Sequence, residues 1–210
     1  TALAAEPGAL GAAATHNLRE VLVEMAMRRG DLESARARSA DAGCIARWRV
    51  AGPFGPDALL GFDEDLAPEA PGPLDATYDL GPGRGVRATR DVEARGCPVA
   101  VGNGPVSGYG TTFAEANVAI AGAGRWMLRL ETANAVEVFV DDRSVARLDR
   151  RRTPMARVTF HPLELAAGSH RVLVEMATRH PNPVFMLSLV RARPDEADVV
   201  LTRESPLGRL

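Results

Sequence analysis

Trp126-Met127-Leu128-Arg129-Leu130, Val136-Glu137-Val138-Phe139-Val140 and Val145-Ala146-Arg147-Leu148 are three short runs, rich in apolar and β-branched residues, that read as strands. Asp141-Asp142 stands between the second and third, where two short polar residues can turn the chain back on itself as a hairpin. The same texture continues on both sides. Trp48-Arg49-Val50 begins a strand that Gly52-Pro53 is expected to end, and Val86 to Val92 and Phe113 to Ile120 follow. Downstream lie Arg157 to Phe160, Ser169 to Met176 and Val184 to Val190. Strands at close spacing, with no helical period between them, predict a β-sandwich. Residues 55–85 carry Pro56, Pro68, Pro71, Pro73 and Pro82, and such a stretch is expected to wrap the surface of the domain.

The beginning of the chain is different. Leu18, Val21, Leu22 and Met25 make one apolar stripe at helical spacing, with Asn17 as the expected N-cap and Glu20 as its box partner. Gly30 ends this helix, Asp31 caps a second from Leu32 to about Ala40, and Gly43 stops it. The predicted fold is therefore mainly β, a jelly-roll β-sandwich with an N-terminal α-helical hairpin. The expected division is 1–43 for the hairpin, 44–193 for the sandwich and 194–210 for a tail or linker.

Of the 210 residues, 25 are basic and 27 acidic, a net charge of −2. No basic excess exists to attract nucleic acid. Every basic residue is Arg, which excludes chemistries that need a lysine: the Walker P-loop, a pyridoxal Schiff base and the kinase strand lysine. No apolar run approaches the roughly 20 residues of a membrane helix, so membrane insertion is not expected. The chain opens Thr1-Ala2-Leu3 without a signal segment, as a processed or truncated chain would. Cys44 and Cys97 leave two readings open: a disulfide formed in an oxidising compartment, or two small buried thiols.

Two stretches resemble known families. Arg29-Gly30-Asp31-Leu32-Glu33-Ser34-Ala35 resembles the turn and second-helix start of a tetratricopeptide repeat. Trp48-Arg49-Val50-Ala51-Gly52-Pro53-Phe54-Gly55, followed by Gly61-Phe62-Asp63 and Pro68-Glu69, resembles the opening of a galactose-binding-like jelly-roll module of bacterial exported proteins. Leu128 to Asp142 and Leu165 to Val174 resemble the later strands of that module. The sequence departs from the pattern where Asp141-Asp142 replaces an Asn-Gly turn, Phe139 a Trp and Glu175 a Lys. The resemblance implies a periplasmic or secreted location. It also implies a non-catalytic binding or spacer role, in recognition or assembly, as one segment of a larger protein; the alternative is an accessory domain of a hydrolase or transglutaminase-like enzyme.

Catalytic constellations are lacking. No Gly-x-Ser-x-Gly or His-x-x-x-His occurs, and Cys97 precedes Pro98, which removes a backbone donor from any oxyanion hole there. The acidic run Asp57, Asp63, Glu64, Asp65 and Glu69 has no Asp-x-Asp-x-Asp-Gly spacing and reads as a solvated loop; neither metal nor cofactor is expected. His161 and His180 precede prolines and are expected at turns. Trp48 and Trp126 read as core anchors, and Tyr78 and Tyr109 as loop aromatics open to stacking. Arg150-Arg151-Arg152, near Arg147 and Arg157, reads as a solvated loop or as a patch for an acidic partner. Contact with a partner is expected at one end of the sandwich, through Tyr109, Asp141, Asp142, Arg143 and Arg150, with a protein slightly favoured over a carbohydrate because aromatic platforms are scarce.

Overall fold

The computed structural model describes residues 12–55, 61–83, 85–102, 110–149, 151, 156–178 and 183–191. Among them lie two α-helices, α1 (Ala12–Arg28) and α2 (Leu32–Asp41), and the strands β1 (Arg47–Phe54), β2 (Thr77–Asp79), β3 (Val86–Ala88), β4 (Arg90–Glu93), β5 (Pro98–Ala100), β6 (Gly110–Ile120), β7 (Gly124–Thr132), β8 (Ala135–Val140), β9 (Arg143–Leu148), β10 (Arg157–Leu165), β11 (Gly168–Thr178) and β12 (Val184–Arg191). The protein is mainly β, as its alternating pattern requires.

The strands form one sheet in the order β4-β1-β6-β11-β8-β9, a second in the order β10-β7-β12-β5, and a small ribbon of β2 and β3. All pairings are antiparallel. The two larger sheets bury a shared core between them. Trp48, Val50, Ala114, Val136, Val138, Val172, Val174 and Met176 face inward from the first sheet, and Leu128, Leu130, Phe185, Leu187 and Leu189 from the second. Trp48 meets Phe185 edge to face at 5.1 Å between ring centroids, and its indole N–H donates to the Ile45 carbonyl. Trp48 is thus a core anchor with its polar handle satisfied.

The first sheet is covered on its other face too. Ala51, Phe113 and Leu173 point away from the sandwich core and pack under Leu74 and Tyr78. Residues 61–80 do wrap the surface, through two short 3-10 turns, Gly61–Asp63 and Ala67–Glu69. Tyr78, expected at an exposed loop, is buried in β2 against Phe54. Gly52-Pro53 bulges β1, shifting its register between Ala51 and Phe54, and does not end it. His161-Pro162 sits inside β10, not at a turn; β10 is an edge strand, where a residue without an N–H is tolerated. His180 lies outside the described residues.

α1 starts at Ala12, so Asn17 is inside the helix and does not cap it. The alanines before Asn17, strong helix formers, carry the helix further toward the N-terminus than capping chemistry indicated. Its buried face also differs from the expected stripe. Val23 and Ala26 are buried, whereas Val21 and Met25 are 53% and 41% exposed. The exit from α1 follows expectation. Gly30, at φ 75°, and Asp31 donate their N–H groups back to Met27 and Ala26, and the Asp31 carboxylate accepts from the Ser34 N–H at 3.0 Å to start α2.

Several contacts among the described residues dock the hairpin on the outer side of the second sheet. Cys44 bridges Ser188 of β12 as an antiparallel β-pair. Cys44 and Cys97 form a disulfide with Cα atoms 5.1 Å apart. Gly43 lets the chain press against β12, since a Cβ there would lie 2.1 Å from the Leu189 carbonyl oxygen. Arg129 of β7, nearly buried, pairs with Glu20 of α1 at 2.8 Å.

Candidate functional site

Asp141 and Asp142 form a two-residue hairpin turn between β8 and β9, both with positive φ (49° and 63°). That is the left-handed geometry a right-twisted hairpin prefers, and Asp tolerates it better than most residues. The carboxylates are already engaged. Asp141 accepts from the His170 ring at 2.6 Å and from the Arg171 backbone N–H at 3.0 Å. Asp142 accepts from the Arg171 guanidinium at 2.5 Å. Arg143 is exposed. Tyr109 and Arg150 lie outside the described residues, so three of the five expected contact residues are placed, and two of these three hold the turn itself together.

His170 is nine-tenths buried, with one ring nitrogen on Asp141 and the other 2.9 Å from the Ala166 carbonyl oxygen. Both partners are acceptors, so the ring fits best with both nitrogens protonated. The Asp141 hydrogen bond, helped by the Ala166 carbonyl and opposed by burial, raises the His170 pKa above 6.5. Burial pushes Asp141 up, but the His170 hydrogen bond and the Arg171 N–H outweigh it and hold the carboxyl below 3.8. The pair therefore stabilises the fold between roughly pH 4 and 6.5, and the histidine part is lost as pH rises through the raised value. Asp141 is half exposed, which limits the contribution to about 1 kcal/mol. Urea midpoints followed from pH 6 to 8.5 are expected to fall more in the wild type than in His170→Gln.

From this turn a chain of contacts leads across the outer face of the first sheet. Arg171 donates through Nε to Glu115 at 2.7 Å. Glu115, 1% exposed, also takes the Leu74 N–H at 3.0 Å and pairs with Arg49 at 3.4 Å. Arg49 lies opposite Asp91 on β4, and Arg47 lies opposite Glu93. Beyond the cover of residues 61–80 the face opens as a cleft of about 590 Å³, lined by Arg47, Arg49, Asp91, Glu93, Glu115 and Asn117. Arg47, Asp91 and Asn117 are exposed and have no side-chain hydrogen bond or ion pair among the described residues. Glu93 meets Arg36 of α2 at 3.7 Å, which brings the hairpin to the rim of the cleft.

The sequence expectations named none of these cleft residues as a contact residue. The signal was there: Arg-Trp-Arg in β1, Asp-Val-Glu in β4 and Glu-Ala-Asn in β6 each alternate a polar outward side chain with an apolar inward one. Three such segments become one surface only once strand order is known.

Of the arginine cluster, Arg147 and Arg151 are committed internally, while Arg150 and Arg152 lie outside the described residues. Arg147 donates to Glu137, to Asp63 at 2.8 Å and to the Phe62 carbonyl at 3.2 Å. Arg151 donates to Asp63 and to Asp149, and its hydrogen bond holds the Asp149 pKa at about 2. Both guanidiniums lie over the Phe62 ring, at 4.5 and 5.4 Å. The acidic run supplies these pairs through Asp63, and among the described residues no group of His, Cys, Asp and Glu is arranged to hold a metal ion. No described helix is long and apolar enough to cross a membrane.

The architecture is a two-layer antiparallel β-sandwich. No protein-family profile matches the chain, and no curated protein does. Solved structures give low-scoring likenesses. A β-glucosidase from Kluyveromyces marxianus in complex with glucose aligns at 12% identity and TM-score 0.41 over 52% of this chain and 15% of that enzyme. A family 35 carbohydrate binding module from Clostridium thermocellum aligns at 15% identity and TM-score 0.32 over 45% of this chain and 78% of the module. An isomalto-dextranase from Arthrobacter globiformis T6, complexed with panose, aligns at 11% identity and TM-score 0.28 over 70% and 32%. The chain thus spans a small part of either enzyme, and scores of this size carry no weight for its function.

Proposed function

We propose that this chain is a non-catalytic recognition module that binds a neutral carbohydrate in the cleft on β4, β1 and β6. The observation that carries this reading is the set of uncommitted hydrogen-bonding groups there: a guanidinium (Arg47), a carboxylate (Asp91) and an amide (Asn117) on one open sheet face. Arg and carboxylate groups offer paired donors and acceptors at the spacing of vicinal hydroxyls. The lining holds two guanidiniums and three carboxylates, and Arg36 and Arg171 adjoin it, so the cleft has no strong excess of either charge to select an ion. Glu115 has its oxygens occupied by Leu74, Arg49 and Arg171 and serves as an anchor for those donors, not as an acid or base toward a ligand. The disulfide fits an oxidising compartment and hence an exported protein.

Calorimetry against a panel of neutral oligosaccharides tests the proposal. Binding is expected to weaken about tenfold in Arg47→Ala and in Asp91→Ala, the effect of losing a charge-assisted hydrogen bond. Both residues are exposed, so thermal stability is expected to stay unchanged. Absence of binding across the panel, or binding untouched by both substitutions, rules the reading out. A protein partner is the second reading, favoured by the exposed Val21 and Met25 of α1.

A further inference from the structure

A second set of charged groups lies on the same outer face, at the end away from the cleft. Phe113, Glu175, Glu137 and Arg147 stand in one straight row across β6, β11, β8 and β9. Two carboxyl groups are thus direct cross-strand neighbours, an arrangement that destabilises a sheet when both are charged. Glu175 is 1% exposed, and its Oε1 has no hydrogen-bond partner.

Residues 61–69 cover this row as a strap. Phe62 packs on Ala135 and Ala177, and Gly61 closes so near Thr111 that a Cβ would lie 2.8 Å from its Oγ1. The groups facing Glu175 are Glu137 on β8, Arg147 on β9, and Asp63 and Glu69 on the strap. On β6, Phe113 lies opposite, with Thr111 and Glu115 on the same face to either side; Glu115 is engaged by Leu74, Arg49 and Arg171, and the Thr111 hydroxyl is itself without a partner. Neither nearby guanidinium hydrogen-bonds Glu175, although the charge of Arg147 favours its ionised form. Arg147 is spent on Glu137, Asp63 and the Phe62 carbonyl, and Arg151 on Asp63 and Asp149. Glu69 accepts the Leu66 N–H through its Oε1.

An ionised carboxylate buried without a counter-charge is far costlier than a neutral carboxylic acid. We propose that Glu175 sits beneath the strap as an uncharged carboxylic acid, and that loss of this proton opens residues 61–69. Burial, reinforced by Glu69 and Glu137, lifts this carboxyl from 4.5 to about 9. The sign follows from proton linkage. The folded chain keeps the proton up to about pH 9, while the unfolded chain releases it near 4.5. Stability therefore falls as pH rises through that window. Above it, a new negative charge stands beside Glu137 and Glu69, and the strap is the only described layer between it and water.

Amide hydrogen exchange on the intact chain at pH 7 and pH 10, corrected for intrinsic rates, is the test. Peptides covering 61–69 are expected to lose protection at least tenfold at pH 10 in the wild type, while those covering β7 and β12 change little. In Glu175→Gln, which is neutral at both pH values, the strap is expected to stay protected. Equal loss in both proteins, or none in the wild type, overturns the proposal. If the Gln variant does not fold, carbon-13 NMR of the wild-type Glu175 carboxyl decides alone: a midpoint well above 7 supports the proposal, and one near 4.5 refutes it.

Discussion

Glu115→Ala is expected to destabilise the protein by about 3–5 kcal/mol, because it breaks a buried charge network from its centre. The Glu115 carboxylate is 1% exposed and holds Arg171, itself only 12% exposed, at 2.7 Å. It also accepts the Leu74 N–H, which fastens the wrapping segment to the sheet. Removing it leaves the buried Arg171 guanidinium with Asp142 alone and a backbone donor unpaired, and unmet polar groups of this kind account for most of the expected loss. The double variant Glu115→Leu with Arg171→Leu removes both charges, so it is expected to recover a large share of that loss. Urea unfolding of Glu115→Leu, Arg171→Leu and the double variant closes the cycle. A Glu115→Ala cost below 1 kcal/mol, or strict additivity of the two sites, contradicts this account.

Cys44→Ser is the second change with a large expected effect. The disulfide spans a sequence separation of 53, and a loop of that length corresponds to about 4 kcal/mol of unfolded-state restriction. The native geometry around it is otherwise well supported. Ala42, Cys44 and Cys97 are buried together, with Met186 packed against them, and the Cys44–Ser188 bridge and the Glu20–Arg129 pair remain after the substitution. The loss is therefore expected in the global unfolding midpoint, with native circular dichroism unchanged. Wild-type protein unfolded with and without reductant gives an independent reading of the same quantity. A midpoint shift under reductant much smaller than the variant's would point to packing damage by the serine.

The sandwich was legible because its strands alternate strictly, and the pattern survives even where both faces of a strand are buried. β6 shows the limit of that signal. Residues 110–116 are all buried, since residues 61–80 cover the side that would otherwise face water. Nothing local in the sequence says that a proline-rich loop will return to cover a particular sheet. The helix caps at Gly30 and Asp31 were legible for the opposite reason, as they depend on neighbours along the chain. The face on which α1 docks was not, because Gly96 and Arg129 choose it from more than sixty residues away. The hairpin at Asp141-Asp142 was read correctly as a turn, yet its carboxylates serve His170 and Arg171 across thirty residues. Glu175 stood out as a departure from the resembled pattern, but its burial against Glu137 follows from register, which no single strand specifies.

Pro162 has a consequence for how copies of this chain meet one another. It lies in the middle of β10, the outermost strand of the second sheet, opposite Met127. An unprotected strand of this length is an invitation to sheet extension by another molecule, the first step toward insoluble fibrous aggregates. The ring at Pro162 deletes one donor from that row and adds bulk beside it. At high concentration the chain gains colloidal tolerance from this one residue, on an edge where another copy could otherwise add a strand.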